Sequence, residues 1–460
     1  MRVMNNSFPR RQFLGVAALA TAGALAPRAR AVQAAAAKSG LRVAFVGTGN
    51  RSHALLHECL QYGGNIVALC DVDQQQLAEP VKILGKKNVK ARLLSDYRKL
   101  LDDASGFDAV VIASPDHWHA PLCRAFMQAG KHVYCEKPLT RTVGEARALR
   151  ELVRKSAVVT QLGNQGSAAA TLRRSVEIIK AGALGKIHEA HVWFTSSRPT
   201  AVAPNMQVAD PVPAGFDWDF WCGPSALRPY KQDVFHPRSW RRWWDFGSGT
   251  LGDFGCHGFN LPMRALELGW PDRVEVELKE PSTERYIQGL HTRLHFPARG
   301  AFAPFTLHWY DGDRALPTDA LKDVLAVYKK PPQSGCLLIG DGGTLYADVW
   351  GKGGVVKLRD EARLHGVLTH EATKNIPQSL PRAEHHMDEW LQACAGRGKT
   401  FSDFDTGGQL TEIVLANALA VRLGRNLAWQ GETMTATDAP EAGKFIHPDY
   451  RKQWLVPERG

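Results

Sequence analysis

Two short segments of this 460-residue chain carry side chains suited to moving protons. Cys135-Glu136-Lys137-Pro138-Leu139 sets a lysine between an acid and a proline. Gly247 to His257 includes a carboxylate, Asp253, and an imidazole, His257, four residues apart. On a helix, positions i and i+4 share a face, so Asp253 would orient His257 and stabilise its cation, as general-base catalysis requires. Pro262 is expected to kink or end that helix one turn later. A lysine brought close would hydrogen-bond or exchange a proton with a reacting hydroxyl. Taken singly, Glu-Lys-Pro reads as an exposed turn and the Asp/His pair as a structural contact. Their chemistry depends on a framework that brings them together.

Such a framework begins upstream. Leu41–Val46 is an apolar run that reads as a strand, and Gly47-Thr48-Gly49-Asn50-Arg51-Ser52 follows at its end. In a strand–turn–helix of this type the first glycine permits the tight bend. The second lets the backbone approach a pyrophosphate, which sits on the amide groups of the helix N-terminus. Ser52 occupies the third glycine position. Ser52–Leu60 reads as the helix, Ile66–Cys70 as the next strand, and Asp71 falls at its end, where a carboxylate accepts bonds from ribose hydroxyls and repels a 2′-phosphate. The pattern points to NAD rather than NADP.

Further strands are expected at Val89–Leu94, Ala109–Ala113, Lys131–Tyr134 and Val158–Leu162, with a helix over Val143–Lys155. Ligands of open α/β sheets bind outside the carboxyl ends of the strands. Ser114-Pro115-Asp116-His117-Trp118-His119 and the Glu-Lys-Pro segment lie at two such ends. After Gly163 the pattern changes to a helix over 168–181, a strand over Ile187–Phe194 and an irregular stretch rich in Trp, Pro and Gly. Six antiparallel strands are then read, at 273–278, 291–296, 302–309, 336–339, 344–349 and 355–358, and helices at 384–394 and 408–423. The expected fold class is α/β: an N-terminal Rossmann dinucleotide-binding domain over 40–162, and a C-terminal α+β domain over 163–460 with a large open, mostly antiparallel sheet. The irregular stretch supplies candidate substrate contacts. Flat indole faces suit sugar rings and arginines suit hydroxyls, so Trp118, His236, Trp240, Arg241 and Trp244 are singled out, most of the other tryptophans being core. His117-Trp118-His119 could chelate zinc, but with no third ligand placed, no metal is expected.

Residues 1–39 read as an export leader, to about Ala31, and a linker: Arg10-Arg11-Gln12-Phe13-Leu14, an apolar run from Gly15 to Ala26 too short to span a bilayer, and Ala29-Arg30-Ala31 as a cleavage site. This predicts twin-arginine export of a folded protein to the periplasm. The formal charge is +11, of which Arg2, Arg10, Arg11, Arg28 and Arg30 belong to the leader; the remaining +6 gives no case for nucleic acid. Eight cysteines show no C-x-x-C pair and read as buried apolar residues.

The order G-x-G-x-R, the Asp-His loop, Glu-Lys-Pro and Asp-x-x-x-His resembles the Gfo/Idh/MocA oxidoreductases over nearly the whole mature chain. The exported bacterial branch is especially similar, through Pro115–His119, Gly163-Asn164-Gln165, Trp218–Pro224 and Trp243–Gly247. The resemblance implies that Lys137 contacts the substrate hydroxyl and His257 serves as base with Asp253. It implies cofactor contacts from the Asp116–His119 loop and Glu136 and a cis Lys137-Pro138 bond; the candidate cofactor residues are Gly47, Thr48, Gly49, Asn50, Arg51, Asp71, Ser114, Pro115, His119, Glu136, Lys137 and Asn164. Many relatives place an aspartate where this chain has Asn260, a further candidate substrate contact. The implied function is NAD-dependent oxidation or reduction of a secondary hydroxyl of a sugar, polyol or glycoside by a homo-oligomer. A redox-neutral glycosidase or epimerase is the alternative within this chemistry, and a non-catalytic sugar-binding protein the alternative outside it. Export away from the nicotinamide pool implies a tightly held, internally recycled cofactor.

Overall fold

Val43, Ala44, Phe45 and Val46 are buried on both faces of their strand, as a central parallel strand requires. This strand, β1 (Arg42–Val46), leads through the glycine turn into helix α1 (Asn50–Gln61). The structure, a computed structural model, describes residues 40–196, 205–350 and 353–454. The proposed leader lies outside the described residues. Strands β2 (Asn65–Cys70), β3 (Arg92–Leu94), β4 (Ala109–Ile112), β5 (His132–Cys135) and β6 (Thr160–Leu162) complete a parallel sheet in the order β3-β2-β1-β4-β5-β6. Strand order reverses between β1 and β4, which opens a crevice at their carboxyl ends. Helix α2 (Asp116–Gln128) starts at that crevice, and α3 (Val143–Arg154) starts in a capping box made by Thr142 and Glu145. The third strand is shorter than expected because β3 is an edge strand paired only with β2 and largely exposed.

Helix α4 (Ala170–Lys180) leads to β7 (Ile187–Phe194), the hub of a ten-stranded sheet. Its remaining strands are β8 (Arg273–Glu277), β9 (His291–Phe296), β10 (Phe305–Asp311), β11 (Ser334–Gly340), β12 (Gly343–Ala347), β13 (Gly354–Leu358), β14 (His365–Gly366), β15 (Leu427–Gln430) and β16 (Thr435–Ala436). All neighbours are antiparallel except β7 and β10. Period-two alternation sends Ala190, Val192, Leu294, Leu307, Trp309 and Leu338 into the core shared with the first sheet. Glu189, His191, His291, His308 and Tyr310 point to the other face. Part of that face is covered by α5 (Lys322–Tyr328), which the sequence reading did not anticipate.

Two helices bind the last third of the chain to the first sheet. Met387, Trp390 and Leu391 of α6 (His386–Cys394) pack on Val43, Phe45 and Tyr134. The buried α7 (Phe404–Leu423) begins four residues before the expected Gly408, with Asp403 capping the Thr406 amide. Gly407-Gly408, in its first turn, is a contact surface. A Cβ on Gly407 would lie 2.8 Å from the Leu162 Cβ, and one on Gly408 2.4 Å from the Arg150 Cγ.

Candidate active site

Gly47 ends β1 with φ of 81°, and a Cβ there would stand 2.4 Å from the Ser114 amide nitrogen. The bend and the close approach of β4 therefore both require glycine. Beside Gly49 there is open space, the nearest atom to a Cβ being the Gln76 side-chain oxygen at 3.6 Å. No side chain caps α1, so its first amides face the crevice as an anion site. Thr48 turns inward: its N–H and hydroxyl donate to Asp71 Oδ2 at 2.7 and 3.1 Å. The Asp73 amide donates to Oδ1 at 3.0 Å. Burial still raises the Asp71 carboxyl above its ordinary value, against these three bonds. Thr48 thus positions Asp71 and is fully buried, so the expected cofactor contact from its side chain is replaced by an internal one.

Arg51 and Glu136 join the two motifs: Nε donates to Oε1 at 2.9 Å, and Gln165 Nε2 donates to the same oxygen at 3.2 Å. Arg51 Nη2, Glu136 Oε2 and Ser114 Oγ are buried polar atoms with no hydrogen-bond partner. Unsatisfied groups of this kind are costly and mark a place for a polar ligand. Together with the Gly47 bend and the uncapped helix they fit a dinucleotide. A cleft of roughly 1220 Å³ runs along Gly47, Gly49, Arg51 and Ser114, past Asp71, Tyr97 and Trp221 to Arg241, Thr250, Asp253 and Trp350.

At the far end of the cleft lies the chemistry set. The Lys137-Pro138 bond is cis, and Lys137 Nζ donates to Asp253 Oδ1 at 2.5 Å. Arg241 Nε lies 3.6 Å from the same oxygen. Asp116 is buried beside them; burial pushes its carboxyl up to about 7, Arg241 opposing and Asp253 adding to the rise. Leu251–Gly255 forms a π-helical turn, not the expected α-helix, a form frequent at functional sites. His257 follows it, 2 % exposed, with both ring nitrogens unpartnered and its ring 4.6 Å from that of Trp350. The expected Asp253–His257 hydrogen bond is therefore not formed: the π turn breaks the α-helical stacking of i and i+4, and Lys137 takes the carboxylate. Burial and the Lys137 ammonium push the imidazole well below its ordinary value, so it is neutral.

Other expected contacts are re-placed. His119 sets its ring nitrogens against the Pro138 and Ser114 carbonyls at 2.7 and 2.9 Å, so it holds the strand ends together instead of lining the cleft. Asn164 accepts from Ser402 Oγ at 2.6 Å, while its Nδ2 is buried without a hydrogen-bond partner. Asn260 is spent on Ser167 and Arg264 at 3.0 and 2.7 Å. Trp244 is core, donating to the Ser282 carbonyl at 2.8 Å and packing on Tyr286. His236 lines the cleft, yet at the β2 end, bonded to Asp73 at 2.8 Å. Trp118 and Trp240 form cleft wall, Trp118 donating to the Trp221 carbonyl at 3.1 Å and Trp240 lying under the Arg241 guanidinium. His117 faces the Trp221 and Phe246 carbonyls. Trp350 was not among the expected site residues, and nothing local to it marks it. Asp116 was expected as part of the Asp116–His119 loop at the cofactor, not as a buried acid beside Asp253.

Residues 41–164 match the model of an oxidoreductase family, NAD-binding Rossmann fold, and residues 198–295 that of an oxidoreductase family, C-terminal alpha/beta domain. The chain is 28 % identical over 194 residues to levoglucosan dehydrogenase of Pseudarthrobacter phenanthrenivorans, covering 42 % of this chain and 40 % of that one. It is 31 % identical over 269 residues to a glycosyl hydrolase family 109 protein of Shewanella pealeana, covering 56 % and 51 %. The chain thus spans about half the length, or less, of these curated relatives. Its fold is that of the WlbA dehydrogenase from Bordetella pertussis, solved with NADH and UDP-GlcNAcA, at TM-score 0.58, 18 % identity and coverage of 85 % and 99 %.

Proposed function

The chain belongs to the Gfo/Idh/MocA oxidoreductases, and from that premise we propose that it oxidises or reduces a secondary hydroxyl of a sugar, polyol or glycoside with NAD held at the Gly47–Arg51 turn. The observation that carries this reading is the grouping of Lys137, Asp116 and His257 around Asp253 and Arg241, two residues that line one end of the dinucleotide cleft. When bound, NAD supplies a hydride acceptor or donor. The uncapped α1 amides and the Gly49 backbone receive its pyrophosphate, and Asp71 its ribose hydroxyls. Lys137, fixed by Asp253, donates a hydrogen bond to the reacting oxygen. His257, neutral and with free ring nitrogens, removes the hydroxyl proton in oxidation and returns it in reduction. Arg241 stands where a second substrate hydroxyl or a carboxylate would bind.

The relatives named glycosyl hydrolase family 109 proteins favour a second reading on the same residues. Transient oxidation of a hydroxyl to a ketone, its hydride held on the bound nicotinamide, would acidify the neighbouring C–H and permit elimination of the aglycone; water would then add across the resulting double bond, and return of the hydride would restore the hydroxyl before product leaves. In either reading the protein is a homo-oligomer, exported folded by the twin-arginine route with its cofactor loaded. The test is to denature the mature protein, identify any nucleotide released, and screen sugars and glycosides with and without added NAD. Stoichiometric NAD and turnover without added cofactor are expected. A protein free of nucleotide that neither binds NAD nor acts on any carbohydrate overturns the reading. Accumulation of a keto product distinguishes net oxidation from the redox-neutral route.

A further inference from the structure

On the outer face of the ten-stranded sheet, far in sequence from the cleft residues, histidines and carboxylates of adjacent strands converge. Glu189 and His191 lie two apart on β7, and His308 stands directly across from His191 on β10. His191 Nε2 is 3.6 Å, and His308 Nε2 3.8 Å, from the same Glu189 oxygen, and the three atoms lie within 4.8 Å of one another. We propose that Glu189, His191 and His308 form a binding site for a divalent transition-metal ion of the zinc class, separate from the dinucleotide cleft.

Three observations carry this. The spacings are close to those of a tetrahedral ion, whose ligand atoms stand roughly 3.4 Å apart at zinc bond lengths. His191 is 3 % exposed, and its Nε2 is a buried atom with no hydrogen-bond partner, aimed at Glu189. An unpaired polar atom in such a place is otherwise costly. The remote ring nitrogens are already engaged: His191 Nδ1 meets the Tyr310 hydroxyl at 3.1 Å, and His308 Nδ1 meets His291 Nε2 at 3.0 Å. Outer partners of this kind fix the ring orientation of ligating histidines, and here they leave both Nε2 atoms for the ion. Glu189 is one-third exposed, which gives the ion an entry path and leaves a coordination position open to water. An ion there would tie β7 to β10, the one parallel pair among the described strands of this sheet.

The experiment uses the full mature chain without an affinity tag, freed of metal by a chelator and dialysed. Titration with Zn²⁺ by calorimetry, and with Co²⁺ by visible absorption, should give one equivalent bound and the spectrum of low-coordinate Co²⁺ with nitrogen and oxygen ligands. Glu189→Gln and His308→Gln, both at partly exposed positions, should each weaken binding by at least about 100-fold while bound NAD is unchanged. His291→Phe, which removes only an outer partner, should cost about 10–100-fold. Absence of one-to-one binding by the parent protein overturns the proposal. So does parent-like affinity in either Gln variant, which would mean the cluster is a stack of neutral imidazoles only.

Discussion

Lys137 Nζ and Asp253 Oδ1 meet at 2.5 Å, joining the end of β5 to the π-helical turn ahead of His257. The carboxylate expected to steer the imidazole instead holds the lysine. Asp253 then acts on the reaction through Lys137, and substitutions at the two positions should not add. Lys137→Ala and His257→Ala are each expected to lose about 10²–10⁴-fold in turnover while keeping NAD. Asp253→Asn should lose less than Lys137→Ala, and the double variant should match Lys137→Ala alone. Steady-state rates with NAD content measured on the same samples decide this. Near-normal rates in both alanine variants would sink the assignment.

Asp116 gives a pH signature. Its folded value of about 7 exceeds the ordinary carboxylate value, so the folded state holds its proton more tightly than the unfolded chain. That contribution is fully present at acid pH below about 4 and is lost as pH rises to about 7. Asp116→Asn removes the dependence. Its urea midpoint relative to the parent should therefore climb between pH 5 and 8, by an amount worth at most a few kcal/mol, about 1.4 kcal/mol per unit. A difference that is flat with pH contradicts the burial argument.

The two glycines of the turn should fail differently. Gly47→Ala combines positive φ with a 2.4 Å approach to Ser114, so the chain should be destabilised or misfolded, as seen in thermal melts. In Gly49→Ala the methyl group enters open space at the cleft. That variant should melt like the parent without nucleotide yet bind NAD at least about tenfold more weakly, as the loss of close backbone approach implies. Equal NAD affinity would remove Gly49 from the cofactor site.

Among the residues expected to meet substrate, Arg241 and Trp244 separate cleanly. Arg241→Gln should raise KM or lower kcat with little change in stability, since Arg241 faces the cleft beside Asp253. Trp244→Phe loses a buried hydrogen bond and packing on Tyr286, so it should cost about 1–3 kcal/mol of stability with kinetic constants preserved. The reverse pattern would restore Trp244 to the substrate site.

The first sheet was legible because buried parallel strands read as apolar runs bounded by glycine and proline, and the β1 turn has one chemistry. What escaped reading depended on contacts between distant segments. The first turn of α7 lies beyond local reading because only the fold shows Leu162 and Arg150 pressed against Gly407 and Gly408. Asn260 and Trp244 have the right types for a sugar site, but the partners that consume them come from other segments. The Asp253–His257 pair assumed an α-helical period, and the π turn changed it. His191 and His308 are unremarkable singly, and only the pairing of β7 with β10 brings them together.

The His236–Asp73 bond lies at the β2 end of the cleft, and the neighbouring backbone adds Gln74 N–H to the Gly215 carbonyl at 3.0 Å and Asp217 N–H to the Val72 carbonyl at 3.1 Å. These ties clamp the 215–217 and 236–242 segments onto the loop after Asp71. A dinucleotide beneath them escapes only after the clamp opens. Its residence time is then governed by a local opening equilibrium, with a measurable dependence on mild denaturant, and only secondarily by the strength of its own contacts.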